Sequence, residues 1–190
     1  MIRLAIFASG RGSNALSIIR HFQEVPDMKV SCVISNNPDP GVFDHARSYA
    51  IDYRSFNAEE RSNPTVLGKY LSDLKVDYLI LAGYMKKIPQ YLIDNYEDRI
   101  LNIHPALLPK YGGKGMYGMN VHQAVIEAGE PESGISIHLV NEDYDKGRIL
   151  FQKSISILPE DDAESLASKV LELEHRHYPE VIESYIRGQV

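Results

Sequence analysis

The segment Arg3-Leu-Ala-Ile-Phe-Ala-Ser-Gly-Arg-Gly-Ser-Asn-Ala15 gives the clearest indication of how this chain folds. Its first part is nearly continuous in apolar residues, which is typical of a parallel strand buried on both faces. Glycines at positions 10 and 12 close this strand, and apolar residues then recur with helical spacing at Leu16, Ile19 and Phe22. The pattern predicts a strand, a tight turn and a helix over residues 13–24.

Strand and helix patterns continue to alternate along the chain. Further strands are expected at residues 29–35, 53–56, 77–82 and 100–103, and helices at 41–50, 65–74, 120–128 and 162–187. Two late segments, 135–140 and 149–157, alternate more in polarity and are expected to pair antiparallel at one edge. The fold class is therefore α/β: one doubly wound, mostly parallel sheet with helices on both faces, Rossmann-like, with an antiparallel edge.

Length and charge limit the classes of function. With 190 residues, 44% of them hydrophobic, the chain is expected to form a single domain over 1–190. The formal net charge of -6 disfavours a nucleic-acid partner. No apolar segment is long enough for a membrane span or a signal peptide, so the sequence predicts a cytoplasmic protein with no membrane partner. The single Cys32 is interpreted as a buried, inert thiol, no metal site is expected, and the oligomeric state stays unknown.

The glycine-rich turn after the first strand predicts an anion site. Its free backbone N–H groups and the dipole of the following helix favour a phosphate. Gly10, Gly12 and Ala15 also match the relaxed dinucleotide fingerprint, so a nicotinamide oxidoreductase is an alternative. That class places an acid after the second strand, where this chain has Ser35-Asn-Asn37, so a single terminal phosphate is favoured.

A second group of polar residues follows the strand at 100–103. Asn102 and His104 are two residues apart, so they share one side of an extended chain and can both donate hydrogen bonds to an oxyanion. An amine that attacks a carbonyl must also lose a proton, which a nearby carboxylate would accept. The same carboxylate would raise the pKa of the histidine and keep the imidazole partly cationic. The segment 141–147 offers three acids, which spacing alone cannot rank. A non-catalytic binding module has no need of this combination but stays an alternative.

Taken together, these motifs closely resemble the folate-dependent formyltransferase family, in the branch that formylates glycinamide ribonucleotide. The resemblance covers essentially the whole chain in order. It is carried by Gly12-Ser-Asn14, Leu81-Ala-Gly-Tyr-Met85, Asn102-Ile-His-Pro105 with Leu107-Leu-Pro-Lys110, Ser133-Gly134 with His138, and Asp145-Lys-Gly147.

The resemblance implies a role for each matching residue. Asn102, His104 and Asp145 would be catalytic, with His138 in support. Acceptor binding would use Gly12, Ser13, Asn14 and Glu174, and folate binding would use Met85, Lys86, Ile88 and the backbone of Val140, Asn141, Glu142 and Asp143. The N-terminal part would thus bind the acceptor phosphate, and the C-terminal part would bind folate and carry the catalysis.

The implied reaction transfers the formyl group of 10-formyltetrahydrofolate to the amine of glycinamide ribonucleotide, through a tetrahedral intermediate, in purine biosynthesis. The folate would be a co-substrate rather than a tightly bound cofactor. Methionyl-tRNA formyltransferase, sugar formyltransferases and formyltetrahydrofolate deformylase share the Asn-x-His pattern. The first and last of these would be expected to carry an extra domain. Two departures from the family pattern are Lys86, where arginine is common, and the longer glycine-rich segment at 112–118.

Overall fold

The computed structural model describes residues 1–190 and contains seven strands and seven α-helices. The strands are β1 (Ile2–Phe7), β2 (Met28–Ser35), β3 (Asp52–Ser55), β4 (Tyr78–Leu81), β5 (Ile100–His104), β6 (Glu132–Leu139) and β7 (Ile149–Ser156). The helices are α1 (Ser13–Gln23), α2 (Val42–Ser48), α3 (Ala58–Ser62), α4 (Lys69–Asp73), α5 (Gln90–Asn95), α6 (Met119–Glu127) and α7 (Ala163–Ile186). The strand order in the sheet is β3-β2-β1-β4-β5-β6-β7. The predicted α/β class is confirmed.

The chain divides into two compact units, Met1–Leu101 and Asn102–Val190. In the first unit, β1 pairs parallel with both β2 and β4, and β2 pairs parallel with β3. Leu4, Ala5 and Ile6 of β1 are fully buried, as expected for a central strand covered on both faces. Helix α1 buries its apolar face through Ala15, Ile18, Ile19 and Phe22. This burial holds the turn between β1 and α1 in place.

In the second unit, β6 and β7 pair antiparallel, from Glu132 opposite Ser156 to His138 opposite Ile149. The predicted antiparallel edge is therefore confirmed. Helix α7 is 24 residues long and begins at a capping box, in which the side chain of Asp162 accepts from the backbone N–H of Ser165 and the side chain of Ser165 accepts from that of Asp162. None of the helices is both long and apolar enough to cross a membrane.

The structure differs from the sequence prediction between β3 and β4. The single predicted helix at 65–74 is a π-helical turn (Pro64–Gly68) followed by α4, and α3 precedes both and was not predicted. Helix α3 forms because Asn57 and Glu60 make a reciprocal capping box. The side chain of Asn63 then caps the next turn by accepting from the backbone N–H of Thr65 at 2.9 Å. Two adjacent polar caps thus divide this segment into short helices.

Candidate active site

The structure brings Asn102, His104, His138 and Asp145 together. Asn102 and His104 lie at the carboxyl end of β5, His138 lies near the end of β6, and Asp145 lies in the loop after it. The Asn102 amide nitrogen is 3.1 Å from His138 Nε2, which is 3.5 Å from Asp145 Oδ1. Asp145 Oδ2 is in turn 3.7 Å from His104 Nδ1. The amide, imidazole and carboxylate expected from the sequence therefore form one cluster.

The loop between β6 and β7 places Asp145, rather than its neighbouring acids, in this cluster. Gly147 approaches the strand so closely that a Cβ atom there would lie 1.8 Å from the carbonyl oxygen of Leu139, so only glycine fits. Asp145 itself has φ 55, a left-handed conformation that aspartate tolerates better than most residues. The backbone N–H of Gly113 donates to its Oδ2 at 2.8 Å. By contrast, Glu142 and Asp143 are exposed.

Backbone carbonyls determine which nitrogen of each histidine carries a proton. His104 Nε2 is 2.7 Å from the carbonyl oxygen of Tyr111, which can only accept, so Nε2 donates and Nδ1 faces Asp145. Likewise, His138 Nδ1 donates to the carbonyl of Leu139 at 2.7 Å. His138 Nε2 can then accept from Asn102, which leaves the second amide N–H of Asn102 for another acceptor.

Burial decides the protonation state of the central pair. His104 is only 3% exposed, and its desolvation lowers its pKa, although the charge of Asp145 and the hydrogen bond to Tyr111 act to raise it. Burial by itself would raise the pKa of Asp145, but the neighbouring imidazole of His138, the hydrogen bond from the backbone N–H of Gly113 and the imidazole of His104 lower it overall. The net shift of the His104 pKa is downward, so the expectation that His104 is partly cationic is wrong. Near neutral pH the pair consists of a neutral imidazole and an ionised carboxylate.

The glycine-rich turn of the first unit has the geometry expected of an anion site. Gly12 has φ +78 and is the N-cap of α1, with no side-chain cap on the helix. A Cβ atom at Gly12 would lie 2.3 Å from Cγ2 of Val42, so this position requires glycine both for its backbone conformation and for its space. Ser13 and Asn14 open the helix and present its first N–H groups. Binding of phosphate at Gly12, Ser13 and Asn14 stays a prediction.

Ser9 connects this turn to the segments that follow β2 and β4 in the first unit. Its hydroxyl donates to Oδ1 of Asn36 and accepts from the backbone N–H of Met85 at 2.8 Å, while Asn37 donates to its carbonyl oxygen. In the sequence, the two asparagines indicate only that the acid of a dinucleotide site is missing. Their side chains in fact fix the start of the glycine turn.

The remaining predicted residues are placed as follows. In the first unit, Met85 and Lys86 are exposed, whereas Ile88 is buried. In the second unit, Val140, Asn141, Glu142 and Asp143 follow β6, and the backbone N–H of Asp143 donates to the Asn141 side chain at 3.1 Å. Glu174 lies on α7 and is 8% exposed. The folate-binding and acceptor-binding roles of these residues stay predictions.

Several positioning contacts could not be predicted from the sequence. Buried Ser136 donates to the carbonyl of Ala106 at 2.6 Å and accepts from the N–H of Leu108 at 2.9 Å and from Gln152 at 2.8 Å. It thereby fixes the backbone that leaves β5. Nothing in the sequence marks a serine within a strand as a residue that binds a neighbouring backbone. Nor does the sequence mark the carbonyl of Tyr111 as the partner of His104.

An α/β sheet with an amide and an imidazole at the end of one strand, and a carboxylate in the loop after another strand, is the arrangement of a group-transfer enzyme that stabilises an oxyanion and moves a proton. The chain belongs to the formyl transferase family, whose family model matches residues 2–182. The resemblance seen in the sequence is thereby confirmed.

Individual relatives agree with this family. The chain is 43% identical over 186 residues to the chloroplastic phosphoribosylglycinamide formyltransferase of Arabidopsis thaliana, covering 95% of this chain and 64% of that protein. The Haemophilus influenzae phosphoribosylglycinamide formyltransferase is 38% identical over 196 residues, covering 100% of this chain and 90% of that protein. The crystal structure of the Brucella melitensis phosphoribosylglycinamide formyltransferase superimposes with a TM-score of 0.87 at 36% identity, covering 100% of this chain and 97% of that one.

Proposed function

We propose that this chain transfers the formyl group of 10-formyltetrahydrofolate to the amine of glycinamide ribonucleotide, in purine biosynthesis, through a tetrahedral intermediate. The observation that carries the proposal is the cluster of Asn102, His104, His138 and Asp145, whose successive contacts are 3.1, 3.5 and 3.7 Å. The names of the Arabidopsis and Haemophilus relatives support the choice of acceptor.

The cluster can supply each step of such a transfer. When the amine attacks the formyl carbon, the carbonyl oxygen becomes an oxyanion, and the free amide N–H of Asn102 can donate to it. Asp145 is ionised and accepts the proton that the amine loses, directly or through water. Because His104 Nδ1 faces Asp145, that proton can pass to Nδ1, and the resulting imidazolium stabilises the oxyanion. The proton finally goes to the folate nitrogen as the C–N bond breaks.

The remaining predicted residues complete the proposal. The N-terminal part of a single domain over 1–190 would bind the acceptor phosphate at Gly12, Ser13 and Asn14, with Glu174 at the acceptor amine. Met85, Lys86, Ile88 and the backbone of residues 140–143 would bind the folate. The protein would act in the cytoplasm on small molecules, with no tightly bound cofactor.

A turnover assay tests the proposal. The purified chain is incubated with 10-formyltetrahydrofolate and a panel of phosphorylated amines, with a control that contains only water as acceptor. We expect formyl transfer to glycinamide ribonucleotide and no formate release in the control. Formate release without any amine would indicate a deformylase, and transfer only to other amines would show that the acceptor is wrong.

A further inference from the structure

Tyr111 combines a costly backbone conformation with a contact to the candidate active site. Its φ of 55 lies in the left-handed region, which is unfavourable for a residue with a bulky side chain. In this conformation its carbonyl oxygen lies 2.7 Å from His104 Nε2. Residues held in such conformations are concentrated at functional sites, where the surrounding structure enforces them.

The side chain of Tyr111 shows what enforces the conformation. Its hydroxyl donates to Glu130 Oε1 at 2.9 Å, and the ammonium of Lys110 contacts both oxygens of the same carboxylate at 2.9 and 3.2 Å. Two successive residues are thus tied to one acid. All three line a cavity of about 290 Å³, together with Leu108 and Val125. Because Tyr111 borders this cavity and is only partly buried, the hydrogen bond from its hydroxyl to Glu130 is the specific restraint on its side chain.

The Tyr111 carbonyl determines the choice between two neutral forms of His104. A proton on Nδ1 would point at Asp145 Oδ2, 3.7 Å away, and would be attracted by its charge. That form, however, would turn the lone pair of Nε2 toward a carbonyl oxygen at 2.7 Å, which is repulsive. With the carbonyl in place, the proton stays on Nε2 and Nδ1 remains free to accept one.

We propose that Tyr111 is a positioning residue: its carbonyl, held in place by the bond from its hydroxyl to Glu130, fixes His104 in the Nε2–H form and makes Nδ1 the nitrogen that exchanges protons. This assignment deepens the proposed function, because it rests on His104 and Asp145 acting in formyl transfer. Its structural part concerns only the tautomer and can be measured without substrate.

The experiment combines NMR of protein labelled with ¹⁵N-histidine with steady-state kinetics. In the wild-type protein the neutral His104 is expected to be in the Nε2–H form. Tyr111→Phe removes only the hydroxyl, so a fraction of His104 should change to the Nδ1–H form. The kcat should then fall about 10-fold, the typical effect of losing one hydrogen bond to a charged group, with little change in either KM. Tyr117→Phe is the matched control, since Tyr117 is in the same loop and 53% exposed, and it should match wild type in both measurements.

Glu130→Ala removes the same restraint from the other side and should reproduce the change, which keeps the proposal testable if Tyr111→Phe does not fold. A wild-type protein in the Nδ1–H form would overturn the proposal. So would Tyr111→Phe and Glu130→Ala variants that both keep the Nε2–H form and the wild-type kcat. A wild-type Nε2–H form in a protein that transfers no formyl group would refute the proposed function and leave the tautomer assignment standing.

Discussion

Replacement of Asp145 by asparagine separates its charge from its structural role. Asparagine also tolerates the left-handed conformation at this position, and its Oδ1 can still accept from the N–H of Gly113. The loop should therefore keep its shape while the negative charge disappears. At the observed 3.7 Å, a carboxylate stabilises an imidazolium by about 4 kcal/mol at an effective dielectric constant of about 20. Since 1.36 kcal/mol corresponds to a tenfold change in rate, kcat should fall roughly 10³-fold.

Initial rates of formyl transfer and calorimetric binding of each ligand test this prediction, with thermal unfolding to confirm that the variant folds. We expect a collapse in kcat with dissociation constants within a few-fold of wild type. Asp143→Asn is the control, because that side chain is 60% exposed and only pairs with Lys146 at 3.3 Å. A folded Asp145→Asn variant within tenfold of the wild-type kcat would refute the assigned role of Asp145, as would a larger loss in Asp143→Asn.

Three other outcomes are expected. Asn102→Ala removes one oxyanion donor and should lower kcat by about 10² to 10³, whereas a raised KM alone would assign Asn102 to substrate binding. Gly12→Ala should lower the free energy of unfolding by roughly 2–5 kcal/mol, because a side chain there strains the left-handed backbone and overlaps Val42. Gly10→Ala is the control, because a Cβ there meets nothing within 4 Å, and denaturant titrations should show a nearly unchanged free energy of unfolding. Burial lowers the pKa of both His104 and His122, so the unfolded chain binds more protons in acid. Both histidines therefore favour the folded state fully at pH values above 6.5, the histidine pKa in the unfolded chain, and this stabilisation is lost as the pH falls below 6.5. His122→Leu should make the free energy of unfolding less dependent on pH, which unfolding curves measured on both sides of pH 6.5 would show.

The first strand, turn and helix could be predicted because local patterns determine all three. Apolar continuity defines β1, and a position that accepts only glycine separates it from α1, which begins at Ser13 as expected. Helix α3 was missed although its capping box, Asn57 with Glu60, is visible in the sequence. Short helices held by polar caps have too few apolar positions to show helical periodicity.

The candidate site was only partly predictable. Asn102 and His104 follow from the motif, but the choice of Asp145 among three acids came from family resemblance, and its physical cause lies in the close approach of Gly147 to the strand. The net pKa shift of His104 had the wrong expected sign, because burial depends on the whole fold. The contact from Tyr111 is made by a backbone carbonyl, which every residue type possesses and no sequence pattern marks.

Cys32 lies within β2 and is 0% exposed, and burial raises the pKa of its thiol well above the usual range. The chain's one sulfhydryl is thus withheld from alkylating reagents and from oxidants as long as the protein is folded. A cysteine introduced at an exposed position such as Leu171 would then be the single reactive thiol, so a spin label or fluorophore could be attached there without first removing the native residue. Conversely, labelling of Cys32 would report global opening of the sheet.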